Sequence, residues 1–423
     1  MNYTRRSQLR SVSYLAIIAA GLLVAAAWVA PVTADQHLAT TEVIVPGGLN
    51  NPRGIAIGPH GSLFVAESGA GGPVAVSNEE GFTVCIGDTG SVARIRAGTV
   101  DRVAMFASYA DSADPDGPGP APGTCEGDDA GVAAVGPAGV EIDSAGRIGV
   151  TIGLGGDLAF RSALPATAAA QLGTMARVEH DGSVMVISDL AGFEETYDPD
   201  GNGADSNPYG LTTTHHGRWI AVDAGGNDIL EIESSGVIRR YVSSFPPLAP
   251  APFTPPSCFA DLPPEVQANF PPPGAMIPQD SVPTSVAVGP DGAYYVGLLS
   301  GFPFAPGTAA VYRIDPATGR FDPFVTGLSH VIDVEFGPDG SLYILQLTDG
   351  GLLEGEVCNM AAPGSLLRVM DGVKTVLADD LILPGGLAVD AYGSAYVTTF
   401  SILPGAGGVV KITPTLEQGN GWG

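Results

Sequence analysis

Positive charge is scarce in this chain. Its 423 residues carry 18 Lys and Arg against 45 Asp and Glu, a net charge of −27. Beyond residue 34 the only lysines are Lys374 and Lys411. No basic patch can be assembled from them, so nucleic acid, whose phosphates the protein would repel, is excluded as a partner. Anionic lipid surfaces are disfavoured for the same reason. Cysteine is also sparse: Cys85, Cys125, Cys258 and Cys358, with no Cys-x-x-Cys among them. A structural zinc site or redox dithiol therefore has no support. Gly-x-Ser-x-Gly and His-Glu-x-x-His are absent, which removes the common hydrolase signatures.

Long apolar runs are missing except at the start. Residues 14–29 are apolar, follow Arg5, Arg6 and Arg10, and precede Val32-Thr33-Ala34. This is the layout of a signal peptide cleaved after Ala34, and Arg5-Arg6 with Arg10 resembles a twin-arginine leader. The run is short for a membrane span, which needs about 20 residues. The expectation is residues 1–34 as an export leader, a mature domain outside the membrane that is secreted or periplasmic, and 416–423 as a flexible tail.

What the chain has in excess is punctuation. Gly (59) and Pro (36) make up more than a fifth of it. That leaves little room for long helices and favours short strands joined by turns. One phrase recurs: apolar-x-apolar, a turn ending in Gly, then apolar-x-apolar. It is centred on Gly61, Gly146, Gly217, Gly292, Gly340 and Gly393. Five copies begin with Pro (Pro52, Pro137, Pro208, Pro283, Pro384), and four have Gly two places later (Gly54, Gly139, Gly210, Gly386). Each phrase reads as a hairpin, and a second hairpin usually follows. Four antiparallel strands make a propeller blade, and six copies predict an all-β, six-bladed propeller over 40–415, with seven blades as the rival. The stretch after Gly393 and the stretch before Gly61 together equal one short blade. The strand at 41–45 should therefore pair with 409–412 and close the ring.

The extra length falls at 69–89, 110–135, 153–173, 191–207, 243–282, 299–307 and 349–363. All are connections that alternating strand direction places on one face, where a rigid scaffold usually presents its functional residues. All four cysteines lie there. In an exported chain an even count suggests disulfides, and Cys85–Cys125 with Cys258–Cys358 is the preferred of three connectivities. The inner strands bring Asn51, Arg53, Asn207, Tyr209, Thr284, His330 and Asp333 to the channel mouth, with Glu141 deeper. Such a ring either holds a ligand or a divalent cation, or is satisfied by its own hydrogen bonds. Asp198, Asp200 and Asn202, with Gly203 and Asp205 following, reproduce the opening of a calcium loop, but Tyr209 stands where the closing Glu belongs. Calcium is the one cofactor expectation.

Several segments carry a resemblance. Thr151-Ile152-Gly153-Leu154-Gly155-Gly156-Asp157, Asp205-Ser206-Asn207-Pro208-Tyr209-Gly210, Val282-Pro283-Thr284-Ser285-Val286-Ala287-Val288 and Gly301-Phe302-Pro303-Phe304 resemble the ScyD/ScyE family. That family is associated with scytonemin biosynthesis and is widespread in bacteria that do not make the pigment. Residues 221–230 are similar to the NHL repeat of six-bladed propellers. The resemblance implies an exported propeller and supplies no reaction or catalytic residues. The leading expectation is a binding propeller, non-catalytic or accessory, with a ligand or protein on its loop-rich face. The alternative is a metal-dependent hydrolase or lactonase of the gluconolactonase-like kind. A streptogramin-degrading lyase ranks last, because it needs a His/Glu pair at the channel and only His330 is near the mouth.

Overall fold

The computed structural model describes residues 38–77, 83–111, 131–358 and 362–415. Six of its antiparallel sheets are arranged around an axis, and two two-stranded ribbons lie in the connections. The innermost strands are Pro52–Ile57, Pro137–Ile142, Pro208–Thr213, Pro283–Val288, Val331–Phe336 and Leu387–Val389. Proline can open an inner strand because its missing N–H falls where no neighbour would accept it. Four blades, the second to the fifth, are four strands in sequence order. The first gains a fifth, Val74–Ser77, from the insertion at 69–89. The last blade joins the two ends of the described chain. Ala39–Leu49 pairs with Gly407–Pro414, with Thr41 opposite Ile412 and Val45 opposite Val409, as the repeat arithmetic requires. Val45 and Leu49 bury there against Val409 and Ala388, so the seam is apolar as well as hydrogen-bonded.

The repeated phrase has a steric cause. Each of the first five inner strands slips register just after its first residue, for example between Pro52 and Ile55 and between Pro208 and Leu211. There the backbone is pressed against the next inner strand. A Cβ on Gly54 would stand 2.9 Å from the Ala138 carbonyl oxygen, and one on Gly210 would stand 2.6 Å from that of Thr284. The fourth and fifth copies carry Ser285 and Asp333 instead of glycine. At the fifth the carboxylate is used as a bolt: Asp333 Oδ2 accepts from the Leu387 amide of the sixth blade at 2.7 Å. Other junctions use hydroxyls. Ser68 donates to the Pro137 carbonyl (2.9 Å), Thr284 to Val331 (2.7 Å), Thr398 to Arg53 (2.9 Å), and Thr151 to Tyr209. Between the third and fourth blades, Asn227 Oδ1 accepts from the Val282 amide at 2.9 Å.

The turns at 58–61, 143–147, 214–218, 289–293, 337–341 and 390–394 are tight, and the long connections lie on the opposite face. Among these, the Pro-rich stretch after the third blade forms a ribbon (Leu248–Pro252 with Met276–Gln279) and two short helical turns, Phe259–Asp261 and Pro264–Gln267. Its Phe253 and Phe270 pack with Phe302, Phe304 and Leu353 from the fourth- and fifth-blade loops. The Cys258–Cys358 disulfide covers this small core, as expected. Cys85 is buried in the first blade. Its expected partner Cys125, the leader and the tail 416–423 lie outside the described residues. Among the described residues no helix is long and apolar enough to cross a membrane.

Gly210→Ala should cost about 1–3 kcal/mol, because the new methyl meets backbone on the next blade. Gly351→Ala, with nothing within 4 Å of its would-be Cβ, should stay within about 0.5 kcal/mol of the parent. Urea unfolding of both variants measures the difference.

Candidate functional site

Six inner strands converge on a narrow shaft, and the residues expected at its mouth divide into two groups. The first group is turned toward backbone of the loops or of the next blade, and Thr284 belongs to both groups. Asn51, fully buried with a left-handed backbone (φ 49°), donates from Nδ2 to the Gly69 and Gly131 carbonyls at 2.6 and 2.7 Å. Asn207 Oδ1 accepts from the Leu154 and Gly155 amides at 3.2 and 3.1 Å. Thr284 bolts the fourth blade to the fifth. His330 lies between two carbonyls, with Nδ1 3.3 Å from Thr348 O and Nε2 3.1 Å from Phe304 O. Burial pulls its pKa down, and those two carbonyls oppose the shift.

The second group shares the shaft. Tyr209, Thr284, Glu141 and Asp333 line a cavity of about 30 Å³ together with Glu335. Arg53 sits beside the Tyr209 phenol, whose pKa is pushed up by burial. Its guanidinium also makes two long contacts, 3.4 Å to Ser68 Oγ and 3.4 Å to Ala134 O. Below it the shaft is acidic. Burial, then Glu335 and Asp333, push the Glu141 carboxyl up to about 8. Burial raises Asp333 to about 8 against the bond it accepts from Leu387, and Glu335 to about 7. Burial thus favours the protonated form of all three carboxyls, none of which is in an ion pair among the described residues. Glu335 escaped the sequence reading. Its signal was the strand period of two, which puts it on the same face as Asp333.

A second acidic group lies on the rim between the second and third blades. The helix Leu190–Tyr197 carries Glu194, and the turn after it carries Asp198 and Asp200; one carboxylate oxygen from each lies within 4.8 Å of the others. Asn202 donates its amide to Asp200 Oδ2 at 2.9 Å. Asp205 sits in a two-residue bridge opposite Asp157. Asp223 folds the bridge over the third blade, accepting from Ser206 Oγ (2.6 Å), Asn207 N (2.5 Å), Gly225 N (3.1 Å) and Gly226 N (3.2 Å). Glu194, Asp223 and Asp228 were missed in the sequence. Asp228 had a signal: it heads Asp228–Ile232, a strand buried at every position.

On the opposite face, between the turns of the first two blades, a cavity of about 450 Å³ is lined by Arg94, Arg96, Arg147 and Arg177 with Phe64 and His180. Arg147 and Arg177 pair with Asp143 and Glu179.

The raised shaft carboxyls fix a pH dependence. The folded chain keeps these protons above the usual Glu value of 4.5, up to about 8. Between those limits the native state binds more protons than the unfolded chain, so stability falls as pH rises through the window. Glu141→Gln removes one such group, and its urea midpoint should drop less between pH 5 and pH 9 than the parent's. Equal drops would show that Glu141 ionises normally.

No family model and no curated protein matches the chain. Solved structures similar to it include virginiamycin B lyase from Staphylococcus aureus, with 14% identity and a TM-score of 0.43, covering 89% of this chain and 98% of that one. Another is the PQQ-bound aldose sugar dehydrogenase from Streptomyces coelicolor, with 14% identity and a TM-score of 0.45 over 90% and 99%. A third is a gluconolactonase from Xanthomonas campestris, with 12% identity and a TM-score of 0.39 over 88% and 97%. At such identities and scores these likenesses carry no argument about activity, and the six-bladed architecture rests on the strand pairing itself.

Proposed function

We propose that the chain is an exported binding propeller, related in kind to the ScyD/ScyE proteins it resembles, that holds a ligand or protein on its loop-rich face and is non-catalytic or accessory. One observation carries this reading: Asn51 Nδ2, Asn207 Oδ1 and both His330 ring nitrogens are spent on loop backbone, although Asn51 Oδ1 stays buried without a partner. Asn51, Asn207 and His330 each reach two backbone groups, which braces the loops instead of aiming donors at a common point. A braced rim is a platform whose shape is set before anything binds. The shaft beneath has about 30 Å³, room for one or two waters and not for a sugar lactone. Export is supported by the Cys258–Cys358 disulfide, which persists in oxidising compartments.

The second reading, a gluconolactonase-like metal-dependent hydrolase, is favoured by Glu141, Asp333 and Glu335, whose affinity for protons near neutral pH suits general acid–base work. Turnover of aldonolactones and aryl esters, with and without calcium, separates the two. The binding reading expects no rate above that of Glu141→Gln; a rate that collapses in Glu141→Gln replaces it with the hydrolase. Thermal-shift screening of ligands and peptides then locates the surface. Hits should lose their shift in Arg53→Ala and keep it in Arg96→Ala. The reverse pattern would move the site to the arginine-lined cavity on the opposite face.

A further inference from the structure

The rim acids differ from every other buried carboxylate that the chain satisfies. Glu67, fully buried, takes Arg102 at 2.8 Å. Glu231, also buried, takes Arg218 and Arg240, each at 2.8 Å. Glu194 is equally buried, at 2% exposure, yet its Oε1 has no hydrogen-bond partner. Asp228, at 1% exposure, has no partner on either oxygen. The charges acting on Glu194 are all carboxylates: Asp223, Asp200, Asp198 and Asp205. Those acting on Asp228 are Asp223, Glu194 and Asp200. An unpaired buried carboxylate is costly, and several close together compound that cost unless a cation joins them.

We infer that the crossover from the second blade to the third binds a calcium ion through Glu194, Asp198 and Asp200, with Asp228 closing the cage from the third blade. The donors are hard oxygens with neither nitrogen nor sulfur among the acids, which fits calcium and not zinc. The ligands come from a helix, an irregular turn and a strand end, an arrangement suited to a cation that takes six to eight oxygens in flexible geometry. The turn is shaped for it. Asp198 ends the helix in the left-handed region (φ 41°), and its two oxygens accept from the Gly203 amide at 3.2 Å each, curling the loop back on itself. Opposite, a Cβ on Gly226 would stand 2.8 Å from Glu194 Oε2, so glycine there lets the third blade's turn approach the carboxylate. Asn227, in that same turn, donates to Asp200 Oδ2 (3.1 Å) and accepts from the Val282 amide (2.9 Å). The ion would therefore tie the second-to-third crossover to the third blade, and through Asn227 to the entry of the fourth. This site is independent of the binding reading above: either can fail alone.

Calorimetric titration of chelator-treated protein with calcium chloride tests the site, with melting temperature as the second readout. One ion per chain should bind at or below about 1 mM, and calcium should raise the melting temperature. Glu194→Gln combined with Asp228→Asn should weaken binding more than about tenfold and abolish the thermal shift. The same pair should leave the calcium-free protein as stable as the parent or more so, because it removes repulsion; a purely structural role for the two side chains predicts a loss. Asp198→Asn, on the more open side, serves if the double variant fails to fold, and should also weaken binding. Glu141→Gln in the shaft should not change the titration. The inference is overturned by no binding at about 1 mM calcium, by binding that survives the rim substitutions, or by binding lost only in Glu141→Gln.

Discussion

The ring exists because six strands can approach one another closely around an axis. Where neighbouring inner strands touch, there is no room for a side chain, and four of the six copies of the repeat place glycine there. The two exceptions sit in the fourth and fifth blades, and at Asp333 the side chain is turned into a bond to the next blade. Each junction also carries a hydroxyl, amide or carboxylate that satisfies a backbone group of its neighbour. Such groups lie where the sheets end and their backbone would otherwise go unpaired, which in a buried position is expensive. Steric permission and polar satisfaction thus act at the same six places, and the direction of the loops follows from them.

The same packing creates the electrostatic problem. A strongly anionic chain wound into a disc cannot keep all its carboxylates at the surface, and with 18 basic residues in the whole sequence it cannot pair each one. Arginines are allotted to Glu67 and Glu231. Among those that go without are the shaft acids Glu141, Asp333 and Glu335, and the rim acids around Glu194. In the shaft Asp333 and Glu335 accept backbone amides, so the charge is partly met by dipoles, and protonation can meet the rest. On the rim the oxygens of Glu194 Oε1 and Asp228 meet neither amide nor arginine. The proposed calcium ion would meet that need on the rim.

The fold was legible because its signals are local and repeated. Turn glycines, opening prolines and strand alternation recur in one register, and the ring closure followed from length alone. The insertion-bearing face was legible for the same reason, since antiparallel strands fix which connections share a side. The sites were less so. Asn51, Asn207 and His330 could be placed at the mouth by alignment, but whether their polar atoms faced a ligand or a loop depends on the paths of insertions that have no repeat. Glu194 was invisible because it sits on a helix inside one of those insertions. Asp198 and Asp200 were visible only because calcium loops have a local grammar; their partner Asp228 comes from another blade, and spacing does not report contacts between blades.

The insertions themselves behave as parts of a rigid object. Long loops cost conformational entropy when they are ordered. Here the longest is folded into a ribbon and two helical turns around its own phenylalanine core, and is tied to the fifth blade's loop by a disulfide across 100 residues. The crossover carrying Glu194 is pinned by Asp223, through its bonds to residues 206 and 207, before any ion is considered. Ser257 adds a further link, donating from its amide and hydroxyl to Glu354 at 2.8 Å each. A loop ordered in advance presents its surface without further entropic loss on binding, so affinity can come from modest contacts. That is the physical case for reading the loop-rich face as the working surface even though the larger cavity lies on the other side: the chain has invested its disulfide, its aromatic cluster and its amide brackets in holding that face still.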